Sequence, residues 1–156
     1  MIEAKVRLTF PDTLQFVAES GSGHKWIIDD KAGNTGPKPI ELLAAALAGC
    51  TAFDVATILR SKKHKHLEGY EVSVEADQKT IPPQVFTNVH IHHSITGADI
   101  DGPSVEDAIR LSESKYCAVG AMVHQCGAHI TTTYTIHPTG EAASDDLAVA
   151  ERVAVG

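Results

Sequence analysis

The stretch from Ile40 to about Arg60 constrains the fold more than any other part of the chain. Its large apolar residues recur at helical spacing, and alanine is abundant on the remaining faces up to Ala56. Pro39 fits the first turn of such a helix, where its missing N–H has no hydrogen bond to lose. The pattern predicts one long helix that is buried nearly all round at its start.

Segments with a strand-like alternation of apolar and polar residues lie on both sides of this helix. The clearest is residues 2–10, where apolar side chains alternate with charged or polar ones, which predicts a half-buried strand. Turn residues or prolines separate the alternating segments from one another. The predicted strands cover residues 2–10, 14–19, 24–29, 70–76, 89–95 and 130–136.

Two further segments follow the helical pattern. Ser104, with Asp107 three residues later, is typical of a capping box, and it predicts a second helix that runs to about Lys115. A shorter helical segment is predicted over residues 117–125. The resulting order, β-β-β-α-β-β-α-β, predicts an α+β fold in which two principal helices pack on antiparallel sheet formed by the hairpins.

Length and charge limit the class of protein. The 156 residues predict a single domain over residues 1–138, followed by a tail over residues 139–156 that is frayed or forms a surface helix. The net charge of -7 disfavours a nucleic-acid partner, because phosphate binding needs an excess of Lys and Arg. The first ten residues do not resemble a signal peptide, and no apolar run approaches the ~20 residues that cross a bilayer. We therefore expect a cytoplasmic protein with no membrane partner and reduced thiols.

Two of the three cysteines are candidate reactive residues. Cys50 shares a helical stripe with Leu47 and Asp54, and a lone helix cysteine there is more often a buried hydrophobe than a nucleophile. Cys117 opens a predicted helical segment, whose exposed N–H groups favour a negatively charged sulfur, although a core cysteine remains an equal alternative. Cys126 is interpreted as structural or incidental. Glu41 stabilises the start of the long helix, and a catalytic role for it requires another element to bring charges together.

The nine histidines raise a metal-binding alternative. None of their groupings has the CxxC or HExxH spacing that identifies a zinc site, so exposed strand histidines are the favoured interpretation. The groups considered are His90 with His92, His64 with His66, and His124 with Cys126 and His129.

Two motifs together resemble a known family. GPKPIELLAAALAGC, which ends at Cys50, and SKYCAVGAMV, which contains Cys117, are similar to segments of the osmotically inducible protein C and organic hydroperoxide resistance (OsmC/Ohr) family. The order of predicted elements agrees with that family from about Ile2 to Pro138. The resemblance implies an OsmC-like fold and an intertwined homodimer in which both chains shape each active site.

The resemblance also implies a thiol-dependent peroxidase that reduces hydroperoxides, often organic ones, to alcohols. Cys50 would be the peroxidatic cysteine and become a sulfenic acid, and Cys117 would resolve it as a disulfide. Glu41 would be the active-site carboxylate. The resemblance implies no cofactor and no metal, and it implies an external dithiol reductant such as a lipoyl group or a lipoylated protein.

The chain departs from the family pattern at three points. Ile40 stands where members of the hydroperoxide-resistance type have a glutamate, so Glu41 comes one residue late. The partner arginine has no obvious match, with Arg7 and Arg60 as candidates, and Ala118 stands where many relatives carry proline. These departures leave an alternative open, in which the protein keeps the fold and binds a small apolar or thiol ligand without catalysis.

Overall fold

The computed structural model describes residues 1–139 and the backbone of residues 148–153. Within these limits the chain forms two compact units, residues 1–43 and residues 44–156, which are described separately below. The single domain expected over residues 1–138 stays a prediction.

The first unit is a three-stranded antiparallel sheet. Its strands are β1 (Ala4–Leu8), β2 (Phe16–Ser20) and β3 (Lys25–Ile28), with β2 in the centre. The prediction of a half-buried first strand is wrong for this unit, because all five residues of β1 are exposed. Val6 is 57% exposed and Phe10, just beyond the strand, is 59% exposed. The alternation therefore marks an apolar face that no described residue of the first unit buries.

The long predicted helix is present as α1 (Pro39–Thr57), and a π-helical turn (Ile58–Lys62) continues it. In α1 the buried residues of the second unit form one stripe with a spacing of four, Leu47, Thr51 and Val55. The prediction that the helix is buried nearly all round is therefore wrong within the single chain. Phe53, on the opposite side of that stripe, is 79% exposed.

The same helix corrects the expectation about bilayer-spanning segments. Residues 39–62 are long and apolar enough to cross a membrane by length and composition alone, and 28% of the most apolar window is buried. The core helix of a soluble protein meets the same two criteria. Two acidic residues, Glu41 and Asp54, interrupt the apolar sequence, which is why no continuous apolar run was apparent.

The second unit is built on a four-stranded sheet in the order β4-β5-β6-β7. β4 (Gly69–Gln78) and β5 (Phe86–Thr96) form the expected antiparallel hairpin. β6 (His129–His137) lies parallel to β5, which the sequence analysis did not predict. The direction follows from the connection, since a helical crossover rather than a hairpin joins the two strands. β7 (Ala148–Val153) pairs antiparallel with β6, in the segment that was expected to be a frayed tail or a surface helix.

Two helices form the crossover and cover one face of the sheet. They are α2 (Gly102–Leu111), with a π-helical turn (Ser112–Tyr116) after it, and α3 (Ala118–Gln125). The core combines α1, α2 and the sheet: Val55 and Leu59 pack in one cluster with Val105, Ile109 and Ile95. The expected α+β class is confirmed, with helices on a sheet whose hairpins are antiparallel.

The start of α2 differs from the predicted capping box. The N-cap residue is Asp101, whose carboxylate accepts hydrogen bonds from the Ser104 backbone N–H and hydroxyl, both at 2.9 Å. Asp107, expected to complete a box with Ser104, instead forms ion pairs with Lys63, at 2.6 Å, and Arg110. Pro103 lies in the first turn, where proline is favoured, so the helix begins earlier than the capping-box pattern predicts.

Candidate functional site

Two of the cysteines meet inside the second unit. The sulfur atoms of Cys50 and Cys117 and a carboxylate oxygen of Asp54 all lie within 4.8 Å of one another. Both cysteines are free thiols. Cys50 is half-buried and Cys117 is 5% exposed, so the pair lies at the edge of the core. The two residues that the sequence analysis selected, 67 positions apart, are therefore neighbours.

Secondary structure fixes the positions of these three side chains. Cys50 and Asp54 lie one turn apart on α1, which places them on the same face of the helix. Cys117 is the N-cap residue of α3, and its backbone N–H closes the preceding π-helical turn by donating to the Ser112 carbonyl at 2.8 Å. Such π-turns are rare and occur frequently at functional sites.

A glycine gives the Cys117 sulfur its hydrogen-bond donor. The backbone N–H of Gly120 donates to Cys117 Sγ at 3.3 Å, as expected for a sulfur at the start of a helix. A Cβ atom at position 120 would lie only 3.1 Å from that sulfur. Glycine therefore allows the helix to approach the sulfur without pushing it aside.

One hydroxyl group, that of Ser112, holds the carboxylate of Asp54. The buried Ser112 Oγ donates to Asp54 Oδ2 at 3.0 Å, and it lies 3.3 Å from Oγ1 of Thr51, which is also buried. Ser112 is the first residue of the π-helical turn that leads to Cys117. One serine thus connects the acidic side chain on α1 to the segment that carries the second cysteine.

The surroundings of Cys117 favour its protonated form. Burial raises the pKa of the Cys117 thiol to about 12, and its interactions with Cys50 and then with the charge of Asp54 act in the same direction. The Gly120 N–H lowers the pKa, but by less than burial raises it. The predicted N–H contact exists, and burial outweighs its effect on the pKa of the sulfur. Cys117 is a neutral thiol near pH 7.

A cavity of about 500 Å³ lies beside Cys117. Apolar side chains, among them Leu47, Ile91 and Ile130, form part of its lining, and Glu113 is its acidic member. Burial raises the pKa of Glu113, because the charged carboxylate is poorly solvated there. One Glu113 oxygen accepts a hydrogen bond from Thr132 Oγ1, and the other is buried with no partner among the described residues.

Glu41, the third predicted site residue, lies in the first unit. Its carboxylate accepts a hydrogen bond from the Lys38 backbone N–H at 2.8 Å and forms an ion pair with Lys38 Nζ at 3.5 Å. The Lys38 N–H is the main cause of a lowered pKa for Glu41. These contacts are those of a carboxylate that stabilises the start of a helix, as one of the two interpretations expected. Its catalytic role stays a prediction.

The remaining candidates are spread over the surface. Arg7 lies on the exposed strand β1, Arg60 is exposed on the π-helical turn after α1, and Cys126 is exposed at the end of α3. In the part of the chain that the structure describes, one group of at least three close donor atoms occurs, that of Cys50, Asp54 and Cys117. His124, Cys126 and His129, considered from the sequence, do not form such a group there. His90 and His92 instead contact the hydroxyl of Thr133, each at 2.8 Å.

Sequence reasoning missed three residues of the site, Asp54, Ser112 and Glu113. Asp54 was noted only as a member of the Cys50 stripe, although its position four residues after the cysteine is a sufficient signal for a shared helix face. The sequence carries no comparable signal for Ser112 and Glu113. They reach the site because the π-helical turn changes which side chains face α1.

Comparison with known proteins identifies the family that this chain resembles. The sequence model of the family described as OsmC-like protein matches residues 31–133. The YhfA protein of Escherichia coli (strain K12) is 33% identical over 132 residues, which are 85% of this chain and 97% of that protein.

Solved structures agree in fold. An OsmC-like protein from Mycoplasma pneumoniae is similar with a TM-score of 0.72 at 15% identity, over 87% of this chain and 96% of that one. A structure from Legionella pneumophila described as an organic hydroperoxide resistance protein OsmC is similar with a TM-score of 0.62 at 17% identity, over 86% and 96% of the two chains. At these identities the likeness carries the fold alone, and it confirms the OsmC-like fold expected from the sequence.

Proposed function

Since the chain belongs to the OsmC-like family, we propose that it is a thiol-dependent peroxidase that reduces organic hydroperoxides to alcohols. Proteins of the OsmC/Ohr family act on hydroperoxides, and they are soluble and commonly dimeric. The observation that carries the proposal is the proximity of two free sulfur atoms, within 4.8 Å, at the edge of the core.

The reaction has three steps: oxidation of Cys50, formation of a disulfide with Cys117, and reduction of that disulfide. The Cys50 thiolate attacks the distal oxygen of the hydroperoxide, the O–O bond breaks, and the alkoxide leaves as the alcohol after taking up a proton. Cys50 is then a sulfenic acid. The Cys117 sulfur attacks the Cys50 sulfur, which forms a disulfide and releases water. An external dithiol reduces the disulfide by exchange and becomes oxidised itself.

The protonated state of Cys117 supports its role as the resolving residue. A thiol whose pKa is raised to about 12 does not compete with Cys50 for the peroxide near pH 7. When the Cys117 sulfur attacks the sulfenic acid, its proton leaves with the sulfenic hydroxyl as water. Its proximity to Cys50 supplies the high local concentration that disulfide formation needs. Glu41 belongs to the proposal as the carboxylate indicated by the family resemblance, with Lys38 as its present partner.

The cavity beside Cys117 supports an organic substrate. Its volume of about 500 Å³ and its apolar lining suit the alkyl or aryl part of a hydroperoxide. Hydrogen peroxide is too small to use such a space, so we expect a preference for organic hydroperoxides. The reductant is a dithiol of the lipoyl type, free or carried by a lipoylated protein, and no cofactor takes part. The reaction takes place in the cytoplasm.

We further propose that the active form is a homodimer. The described chain leaves large apolar side chains uncovered in both units, among them Val6 and Phe10 in the first and Phe53 in the second. Phe53 lies on α1, the helix that carries Cys50. A second copy that covers Phe53 would also bring apolar groups to the helix that carries Cys50.

Variants of the cysteines test the mechanism. We expect Cys50→Ser to abolish consumption of cumene hydroperoxide with dihydrolipoamide as reductant. Cys117→Ser should consume one equivalent per chain and then stop, because the sulfenic acid has no resolving partner. Cys126→Ser, which removes the exposed third thiol, is the matched control and should keep wild-type turnover. Steady-state turnover by Cys50→Ser at the wild-type rate would refute the mechanism.

One observation favours a second function, the binding of a small apolar or thiol ligand without catalysis. The charge next to the thiol pair is the negative charge of Asp54, whereas activation of a thiolate requires a cation or hydrogen-bond donors. Rates with cumene hydroperoxide and with hydrogen peroxide separate the two functions. Negligible rates with both substrates, measured on folded dimer, would refute the enzyme and favour the binding protein.

A further inference from the structure

The thiol pair and its neighbouring carboxylate form a donor set that peroxide reduction does not require. We propose that Cys50, Asp54 and Cys117 bind a divalent metal ion that prefers thiolate ligands, and that Zn²⁺ fits this donor set best. The inference concerns the same residues as the peroxidase proposal, but it does not depend on that activity.

The geometry suits a small tetrahedral ion. The two sulfur atoms and the Asp54 oxygen lie within 4.8 Å of one another. Zinc binds thiolate at about 2.3 Å and carboxylate oxygen at about 2.0–2.2 Å, so a tetrahedral site needs its ligand atoms roughly 3.5–4 Å apart. The ligand atoms therefore need to move together by roughly 1 Å, and each is carried by a side chain with a rotatable χ1 angle.

The charges in the site favour a cation. Asp54 brings a negative charge to the two thiols, and its hydrogen-bond partner in the described part of the chain is the neutral hydroxyl of Ser112. On binding, each thiol loses its proton, so one Zn²⁺ replaces two H⁺ and the site gains no net charge. Soft sulfur ligands select zinc over magnesium or calcium, which prefer sites built from oxygen alone.

The ligands lie on elements that hold them in place. Cys50 and Asp54 are one turn apart on α1, and Cys117 begins α3. Ser112 fixes the orientation of the Asp54 carboxylate, as the hydrogen-bonding partners of ligands do in metal sites. Cys117 also lines the cavity of about 500 Å³, from which water can supply the fourth ligand. Three protein ligands and one exchangeable position are typical of reactive rather than purely structural zinc sites.

Metal binding has a consequence for the thiols. A zinc-bound Cys50 and Cys117 cannot form a disulfide with each other while both sulfur atoms remain coordinated. If the protein is a peroxidase, as proposed above, Zn²⁺ and hydroperoxide compete for the same sulfur atoms. Oxidation of the thiols then releases the ion.

The experiment uses full-length protein without a His tag, reduced and freed of metal with a chelator that is then removed. Zinc is titrated calorimetrically in two buffers of different ionisation enthalpy, which counts released protons, and cobalt is titrated in parallel by absorption. We expect one ion per chain, a Kd below ~1 µM, about two protons released per zinc, and a thiolate-to-cobalt charge-transfer band. Absence of that band, or binding without proton release, would overturn the inference.

Variants assign the ligands. Cys50→Ser, Cys117→Ser and Asp54→Asn should each weaken zinc binding at least ~10-fold, and Ser112→Ala, which frees the carboxylate, by about 10-fold. Cys126→Ser is the matched control and should bind as the wild type does. Asp54→Asn keeps both thiols and an acceptor for Ser112, so it remains informative even where a cysteine variant misfolds. Equal affinity in the wild type and in Asp54→Asn would refute the three-ligand site.

The outcome is independent of the peroxidase test. Turnover of cumene hydroperoxide is measured on the metal-free protein, and zinc binding on the reduced protein without peroxide. Zinc binding without turnover refutes the proposed enzyme and supports the metal site. Turnover without zinc binding supports the proposed enzyme and refutes the metal site.

Discussion

At the scale of single residues, Asp54 is the charged neighbour of the thiol pair. Its carboxylate lies within 4.8 Å of both sulfur atoms, and its negative charge raises the pKa of the Cys117 thiol. Burial raises this pKa most, and the charge of Asp54 raises it least among the causes. The residue therefore modulates a thiol that is already protonated near pH 7.

The first prediction concerns this charge. Asp54→Asn removes it but keeps an oxygen that can accept the hydrogen bond from Ser112. We expect the pKa of Cys117 to fall, because the charge of Asp54 is one of the causes that raise it, and its alkylation by iodoacetamide at pH 8 to accelerate by up to ~10-fold. The measurement is the labelling rate of the Cys117 peptide by mass spectrometry, with chelator present. Asp77→Asn, the same change at an exposed position of β4, is the control, and equal rates in the two variants would contradict the expectation.

His93 is a second residue whose burial has a measurable effect. Its side chain is fully buried, its ring stacks on Tyr70, and Nδ1 lies 2.7 Å from the Tyr70 hydroxyl. Burial lowers the pKa of His93 to about 4 from an ordinary value of 6.5. The unfolded chain therefore binds one more proton than the folded chain between these two values, so stability falls as the pH falls from about 6.5 to about 4.

The second prediction follows from that sign. Over this pH window His93 should contribute a loss of roughly 3 kcal/mol in the free energy of unfolding, since one pKa unit is worth about 1.4 kcal/mol. The double variant Tyr70→Phe with His93→Phe removes both polar groups and should flatten this part of the profile, measured by urea unfolding at several pH values. Tyr70→Phe alone keeps the histidine and should keep the slope. Glu113 titrates with the opposite sign, but it is present in all three proteins and cancels in the comparison.

At the scale of elements, the start of α2 connects sequence to stability. Asp101 holds the first turn through Ser104 and also forms an ion pair with Lys65 at 2.6 Å. The capping-box pattern located this helix, but it placed the N-cap at Ser104, three positions after the N-cap residue Asp101. Pro103 between them carried the deciding signal, because proline belongs in the first turn and not ahead of the cap.

The third prediction separates the two capping residues. Asp101→Ala should cost about 1 kcal/mol or more in the free energy of unfolding, because it leaves the Ser104 N–H without its acceptor. Asp101→Asn can still cap the helix and should lose only the exposed ion pair, worth less than ~1 kcal/mol. Ser104→Ala should cost less than Asp101→Ala in urea unfolding. The reverse order would restore the capping box that the sequence suggested.

Sequence patterns predict the elements of this fold but not how the elements pair or connect. Period-two and period-3.6 patterns predicted the central strands and helices, because those patterns record which side of an element is apolar. They could not predict that β6 lies parallel to β5, since pairing depends on the path of the crossover. Nor could they predict the π-helical turn over Ser112–Tyr116, which brings Ser112 to Asp54. The cysteine pair was selected through family resemblance, because no local rule relates side chains 67 positions apart.

At the scale of the whole molecule, the single chain leaves several large apolar side chains exposed to solvent. The sequence predicted that β1 is half-buried and that α1 is buried nearly all round, yet Val6, Phe10 and Phe53 are each more than half exposed in the single chain. A second copy that covers these faces would bury the side chains that the sequence pattern predicts to be buried. Burial of a side chain as large as phenylalanine is worth roughly 1.5–3 kcal/mol, so a few such contacts contribute substantially to association.

The last prediction tests this association. Phe53→Glu places a charge on the exposed face of α1, and because a two-fold interface contains each residue twice, the substitution acts twice in a dimer. We expect the wild type to sediment as a dimer and Phe53→Glu to dissociate at least ~10-fold more readily, with its circular dichroism unchanged. Ile81→Glu changes an equally exposed apolar side chain in the connection between β4 and β5, and it should remain dimeric. A monomeric wild type, or two variants that dissociate alike, would show that the uncovered face of α1 is not where the copies meet.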